Sequence, residues 1–443
     1  MRKTAIFPIK QIALWKRRVL HWTAQHEIAV YLDSNQYKSQ RAYQIEWDCL
    51  AAAGAADLLE ANAGMAFEQL KQWQIEKKDW LFGFLGYDLK NETEQLTSAH
   101  FDGIGFPDLA FFQPFAVVGI RKGRLEIYSL TEEPAAIMAA IAALPVDGEG
   151  LSGSVHKTGN FLSPTPDTLT PRMPKSEYLS TVAAIRAHIL GGDLYEMNLC
   201  QEFYAENILL NPVAAYERLN TIAQAPFSTY FRWQHRYLLS ASPERFIKKT
   251  GNRLVTQPIK GTRPRGKTRE EDFFLQQDLQ TDEKDRTENV MIVDLVRNDF
   301  ARHCLPGTIQ VEELFGIYSF ATVHQMISTV SGCLPDGVSA VDALRDAFPM
   351  GSMTGAPKVM AMELIERYEK TRRGLYSGAL GYFDPSGDFD FNVVIRSILY
   401  NAATRYASVQ VGGAIVYDSV PEKEYEECQV KLRAVRAVLE MPI

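Results

Sequence analysis

The stretch Phe246–Gly266 reads FIKKTGNRLVTQPIKGTRPRG. Two runs, FIKK and RLVTQPI, flank Thr250-Gly251-Asn252, which is the pattern of a β-hairpin. A second hairpin is legible in GYFDPSGDFDFNVVIRSI, Gly381–Ile398, turning across Asp384–Gly387. Between and around these hairpins lie helical patterns. Asp282–Arg302, Pro357–Lys370 and Pro421–Leu439 read as long helices. Another is capped by Ser176, carries Leu179, Val182, Ile185 and Ile189 at helical spacing, and stops at Gly191-Gly192. Interleaved hairpins and helices predict an α+β fold with mostly antiparallel sheets.

The 443 residues are 46% hydrophobic and 23% charged, enough for one large core or two packed units. A net charge of −7 argues against a nucleic-acid surface, yet a small anionic substrate remains open if basic groups or a metal meet it. The apolar runs are short and interrupted by charge, so no membrane span is expected. The start, MRKTAIFPIKQIALWKRR, is basic, but Lys10 breaks its apolar part, so a signal segment is not expected either. Cys49, Cys200, Cys304, Cys333 and Cys428 are scattered without a CxxC, as expected of reduced thiols in a cytoplasmic protein. There is no internal repeat. Pro145–Lys175 is rich in Pro, Gly, Ser and Thr and reads as a long loop, either a linker or a flap.

Lys260 is out of place for a surface lysine, because it follows an apolar run where a strand should turn inward. Glu244, in SASPERF, precedes it by sixteen residues with the hairpin turn midway. Residues symmetric about such a turn face each other across neighbouring strands. Alone, the pair reads equally as a structural ion pair. Two carboxylate clusters add to it. Asp285 and Glu288 share a helix face in TDEKDRTENVMIVDLVRND, and Glu424, Glu427 and Lys431 share another in DSVPEKEYEECQVK. Ser419 and Glu422 read there as a capping box. Both helices are too apolar to be wholly exposed, and paired carboxylates of this kind suit Mg²⁺, a hard cation that takes oxygen ligands. Finally, FPMGSMTGAPK at Phe348–Lys358 places Gly351, Ser352, Thr354 and Gly355 ahead of a helix start, a potential anion site that is not a Walker loop.

Together these segments resemble the chorismate-utilising enzymes: anthranilate, aminodeoxychorismate and isochorismate synthases. The resemblance runs from about Ser176 to Ala437 through SPERF, PIKGTRPRG, DEKDRTENVMIVDLVRND, SFATVHQMIS, FPMGSMTGAPK, YSGALGYFD, NVVIRS and GGAIVYDSVPEKEYEE. It implies the fold of anthranilate synthase component I, two large antiparallel β-sheets packed face to face with helices outside. Residues 1–145 would be a divergent N-terminal part of that fold, 146–175 a loop, and 176–443 the chorismate-binding catalytic region.

Lysine at position 260, where anthranilate synthases have alanine, is the mark of the aminodeoxychorismate synthase component I branch. The resemblance implies that the Lys260 amine attacks C2 of chorismate while the C4 hydroxyl leaves, protonated by Glu244. Ammonia then enters at C4 and expels the lysine. A neutral Lys260 needs its pKa brought from about 10.4 to about 7, which burial and a nearby cation would favour; Glu244 must be protonated for its part. By the same resemblance Glu288 and Glu427 would hold Mg²⁺, with Asp285 and Glu424 reaching it through water. Arg396, Tyr376 and backbone near Gly413 would hold the enolpyruvyl carboxylate. His324 and Ser352 would lie near the ring and its departing hydroxyl, and Lys431 near the metal-bound carboxylate.

Two positions depart from the pattern. Glu196 stands where amino-transferring relatives carry glutamine and isochorismate synthases a water-activating lysine; it would either help deprotonate Lys260 or ammonium, or pair with a neighbouring base. Ala414 replaces a glycine of the substrate-binding turn, leaving the contact to the backbone. The tryptophan feedback site of anthranilate synthases is not legible. No glutaminase nucleophile motif is present, so ammonia would come from a separate glutamine amidotransferase or from solution. An anthranilate or isochorismate synthase would share fold and metal; Lys260 argues against the first, and the lack of lysine at position 196 against the second. A non-catalytic chorismate-binding protein would not need both Lys260 and Glu244.

Overall fold

The computed structural model describes residues 2–35, 37, 45–145 and 169–440. The expected loop therefore falls largely outside the described residues. Its last part is ordered structure: Thr170–Pro171 pairs with the strand Glu196–Ala205, and a helix begins at Lys175.

Among the described residues the chain builds an antiparallel ladder that runs through twenty strands. Two 13-residue strands, Cys49–Ala61 and Leu109–Arg121, form its hinge, with a register break between Ala55 and Asp57. From one half of this pair the ladder continues through Ile28–Asp33, Phe227–Trp233, Arg236–Ser242, Ser397–Asn401 and Tyr406–Ile415 to Glu196–Ala205. From the other half it continues through Leu81–Leu85, Ala379–Phe383, Phe389–Val393, Arg245–Thr250 and Arg253–Gln257 to Val323–Cys333. The two expected sheets are thus two layers of one hydrogen-bonded network. Strands from residues 3–129 are built into both layers.

Alternation along the strands sorts side chains between the layers and the outer face. Phe231, Trp233 and Leu238 point into the core between the layers, whereas Tyr230 and Leu239 pack under the outer helices. Across the layers Phe84 meets Phe231 edge-to-face at 5.6 Å, and Phe112 meets Trp233 at 6.2 Å. Such pairs add about 0.5–1.5 kcal/mol each beyond the area they bury. Helices Lys175–Gly191 and Pro421–Glu440 cover the outer face with Val182, Ile185, Leu432 and Val435.

The expected helices are found as Glu283–Ala301, Lys358–Tyr368 and Pro421–Glu440. Asp282 caps the first by accepting the Asp285 N–H at 2.8 Å. Two expected caps are not formed. Ser176 lies inside the first turn of a helix whose cap position is Pro174. Ser419 accepts instead from the Val416 N–H, locking the bend before the helix rather than its first turn.

Candidate active site

The hairpin Arg245–Thr250/Arg253–Gln257 turns at Gly251-Asn252, as its sequence predicts. Its register does not carry Glu244 to a position opposite Lys260. A bulge between Arg245 and Lys248 shifts the pairing, and beyond Pro258 the chain pairs with Val323–Cys333 instead, Ile259 opposite Ile327. A second register break follows before Thr262, at Gly261, whose φ of +83° is in the left-handed region. A Cβ on Gly261 would lie 2.9 Å from Asp285 Cγ, so glycine lets the carboxylate helix sit directly on this strand.

Lys260 is 8% exposed, and its Nζ donates to Glu196 Oε1. Glu288 Oε2 lies 3.9 Å from the same nitrogen. Burial pulls the lysine pKa down, but Glu196, Glu288 and Glu244 outweigh it and hold the ammonium above its ordinary value. The carboxylates around Nζ thus favour the ammonium, against the depression expected of a nucleophile. Glu196 is buried at the start of its strand, and among the described residues its Oε2 has no hydrogen-bond partner.

Glu244 is buried and accepts from Ser352 Oγ at 2.7 Å. Burial pushes its pKa up to about 7, against the Ser352 hydrogen bond and the charges of Lys260 and Arg396. Its carboxyl is therefore protonated over the lower half of the physiological range, as an acid requires. Ser352 is presented by the single turn Gly351–Met353, and the segment is fixed by Lys358, whose Nζ is 2.9 Å from Asp299 on the carboxylate helix.

Arg396 is half-buried, and among the described residues its guanidinium has no hydrogen bond or ion pair. Burial lowers its pKa, with Glu244 opposing, and its charge also reaches Lys431. Its backbone is left-handed at φ 52°, as is Ser377 at φ 60°, next to Tyr376. Non-glycine residues are held in this region only where surrounding structure enforces it. Tyr376 is buried with its hydroxyl 3.8 Å from Cys200 Sγ.

The carboxylates on the two helices come together unequally. Lys284, which the sequence reading passed over, places its Nζ 3.7 Å from Glu288 Oε1 and 3.6 Å from Glu424 Oε1. Burial pushes Glu288 up to about 7, with Lys260 opposing. Glu427 instead pairs with Lys431 at 2.7 Å, which lowers its pKa, and Lys431 also donates to Gly412 O. A Cβ on Gly413 would stand 3.0 Å from Glu427 Oε1, so this strand passes directly over the acidic helix. Ala414 follows, paired with Asn198. Asp285 turns away to Arg263, 2.9 Å distant. Among the described residues, no three His, Cys, Asp or Glu side chains form a ready metal cage. The donor chemistry nevertheless fits a hard cation, since a positive group already lies between two buried carboxylates.

His324 is not free for a ligand. Its ring nitrogens meet Asp272 Oδ1 at 2.8 Å and Ser319 Oγ at 2.9 Å, with Gln276 at 3.4 Å. The structure thus gathers Lys260, Glu196, Glu244, Ser352, Glu288 and Arg396, and gives His324 a separate, saturated set of partners.

Comparison with known proteins places this arrangement. The family model for chorismate binding enzymes matches residues 24–437, and the chain belongs to that family. It is 36% identical to anthranilate synthase component 1 of Thermus thermophilus, over 81% of this chain and 77% of that protein. It is 34% identical to aminodeoxychorismate synthase component 1 of Bacillus subtilis, over 81% of this chain and 76% of that one. Similarity to the chloroplastic aminodeoxychorismate synthase of Arabidopsis thaliana, at 34% identity, covers 97% of this chain but only 48% of the plant protein. The crystal structure of anthranilate synthase component I from Streptococcus pneumoniae superposes with a TM-score of 0.76 at 25% identity, covering 90% of this chain and 95% of that one. No described helix is long and apolar enough to cross a membrane.

Proposed function

We propose that the chain is an aminodeoxychorismate synthase component I, converting chorismate and ammonia to 4-amino-4-deoxychorismate and water. The observation that carries this reading is the buried Lys260, held by Glu196 beside Glu288 and within the field of Glu244. A nucleophilic lysine must first lose its proton. Glu196 Oε1 accepts a hydrogen bond from Nζ and is the acceptor in place for that proton. The freed amine attacks C2, the ring double bond shifts, and the C4 hydroxyl leaves as water with the proton of Glu244. Ammonia then adds at C4, and the electrons return to expel the Lys260 amine.

Arg396 supplies a partnerless guanidinium for the enolpyruvyl carboxylate, a match that guanidinium geometry favours. Ser352 fixes the Glu244 carboxyl near the departing hydroxyl. Glu288 and Glu427 would hold Mg²⁺ with Glu424 behind them, and Asp285 would join only on leaving Arg263; the bound ion would supply positive charge for the ring carboxylate and draw electron density from the diene. Folate synthesis is the destination we assign to the product, and a glutamine amidotransferase subunit the ammonia source, working with a cytoplasmic enzyme.

The test is an assay of the purified chain with chorismate, Mg²⁺ and ammonium salt, the product identified by mass and absorbance. The 4-amino product is expected, with little turnover on glutamine alone. Anthranilate or isochorismate as the sole product would replace this reading with one of its relatives'.

A further inference from the structure

Lys284 stands between the two acidic helices and has no part in the chemistry above. Its Nζ is 3.7 Å from Glu288 Oε1 on its own helix and 3.6 Å from Glu424 Oε1 on the facing one. The exposures differ sharply: 49% for the Lys284 side chain against 10% for Glu288 and 3% for Glu424. The carboxylates are fixed in the interior, whereas the ammonium sits at the end of a flexible stem with solvent beside it. Its charge also reaches Glu427 and Asp285. Lys284 thus acts on the whole acidic set from its open side. Glu427 has a cation of its own in Lys431, and Asp285 has one in Arg263. Near Glu424, Lys284 is the one ion-pairing partner among the described residues.

Two buried carboxylates facing each other across a helix interface repel and cost desolvation unless a positive charge lies between them. We propose that Lys284 is a built-in counter-ion of the metal centre: it holds Glu288 and Glu424 while the centre is empty and swings out to water when a divalent cation enters. This rests on the metal reading above. The two cations compete for the same oxygens, so the lysine weakens metal binding while keeping the metal-free protein intact. A purely structural lysine would stabilise the fold without opposing the metal.

That opposition gives the test two signs. Mg²⁺ binding is measured by titration calorimetry, and melting is followed in EDTA and in saturating Mg²⁺, for the wild type, Lys284→Met, Lys284→Gln and Lys284→Arg. Both neutral variants should bind Mg²⁺ about ten-fold more tightly, because no ammonium has to be displaced. They should melt earlier than the wild type in EDTA and recover most of the difference in Mg²⁺. If the Met variant does not fold without metal, the Gln variant carries the comparison. Lys284→Arg, which keeps the charge, should bind Mg²⁺ no more tightly than the wild type. Neutral variants that bind Mg²⁺ equally or more weakly, beside a wild type that does bind it, would overturn the role of Lys284 alone. A wild type with no Mg²⁺ binding and no Mg²⁺-dependent melting would overturn the metal reading and this inference with it.

Discussion

Arg373 and Arg396 lie twenty-three positions apart and are both withdrawn from solvent, but their surroundings are opposite. Arg373 is saturated. It makes two bonds to the Glu369 carboxylate at 2.7 and 2.9 Å, and donates to Met353 O at 2.6 Å and Asn198 O at 2.9 Å. It thereby ties the Ser352 turn to the strand that bears Glu196. Arg396 has no such partners among the described residues, and its backbone is left-handed at φ 52°. A buried guanidinium with every donor used is part of the scaffold. A half-buried one with its donors unused is open to a bound anion.

The contrast is broken most forcefully at the saturated residue. Arg373→Ala leaves the Glu369 carboxylate buried and unpaired, and should cost about 3–5 kcal/mol in denaturant unfolding. A loss below 1 kcal/mol would mean that the network is not holding the site. Arg396→Met should behave the other way. Unfolding free energy should change little, because the half-buried guanidinium makes no hydrogen bond or ion pair among the described residues. Meanwhile kcat/KM for chorismate should fall about 100-fold, or about 2.7 kcal/mol of binding. Lost stability with unchanged kinetics would make Arg396 a structural residue.

A further effect concerns pH. Glu244 has its carboxyl pushed from the ordinary 4.5 to about 7 by burial, so between these values the folded chain holds a proton that the unfolded chain has released. Stability must then fall as pH rises through that window, and the full rise corresponds to about 3 kcal/mol. Glu288, also near 7, adds to the same slope while metal-free. Melting of the metal-free protein between pH 5 and 8 should show this decline, and Glu244→Gln should make it shallower. A slope unaltered in Glu244→Gln would place the proton elsewhere.

Local patterns were readable in the sequence because they rest on neighbours in the chain. The turn at Gly251-Asn252 and the long helices follow from turn chemistry and apolar spacing. Caps were less secure: Ser176 and Ser419 carry the right side chains, but one helix begins before Ser176 and Ser419 braces the bend ahead of the other. The pairing of Lys260 with Glu196 was suggested by the family resemblance alone, since no local pattern points to it. Glu196 is sixty-four residues away in sequence and reaches the lysine only because distant strands share the site. The resemblance named Glu244 as the acid, but the hairpin symmetry offered for its place opposite Lys260 does not hold, because the register shifts at the bulge and the chain changes partner after Pro258. Lys284 was visible four residues before Glu288, yet only the fold brings Glu424 against it.

The central claim is that Lys260 forms a covalent bond to the substrate. It is tested most directly by incubating the protein with chorismate and Mg²⁺ without ammonia, then digesting it and weighing the peptide that contains Lys260. The account predicts a population carrying the mass of chorismate less one water, which disappears when ammonium is added. In Lys260→Ala, turnover should be slower and shifted toward the 2-amino isomer, since ammonia can then attack only directly. An unmodified Lys260 peptide, together with an alanine variant that still makes the 4-amino product at the wild-type rate, would contradict it.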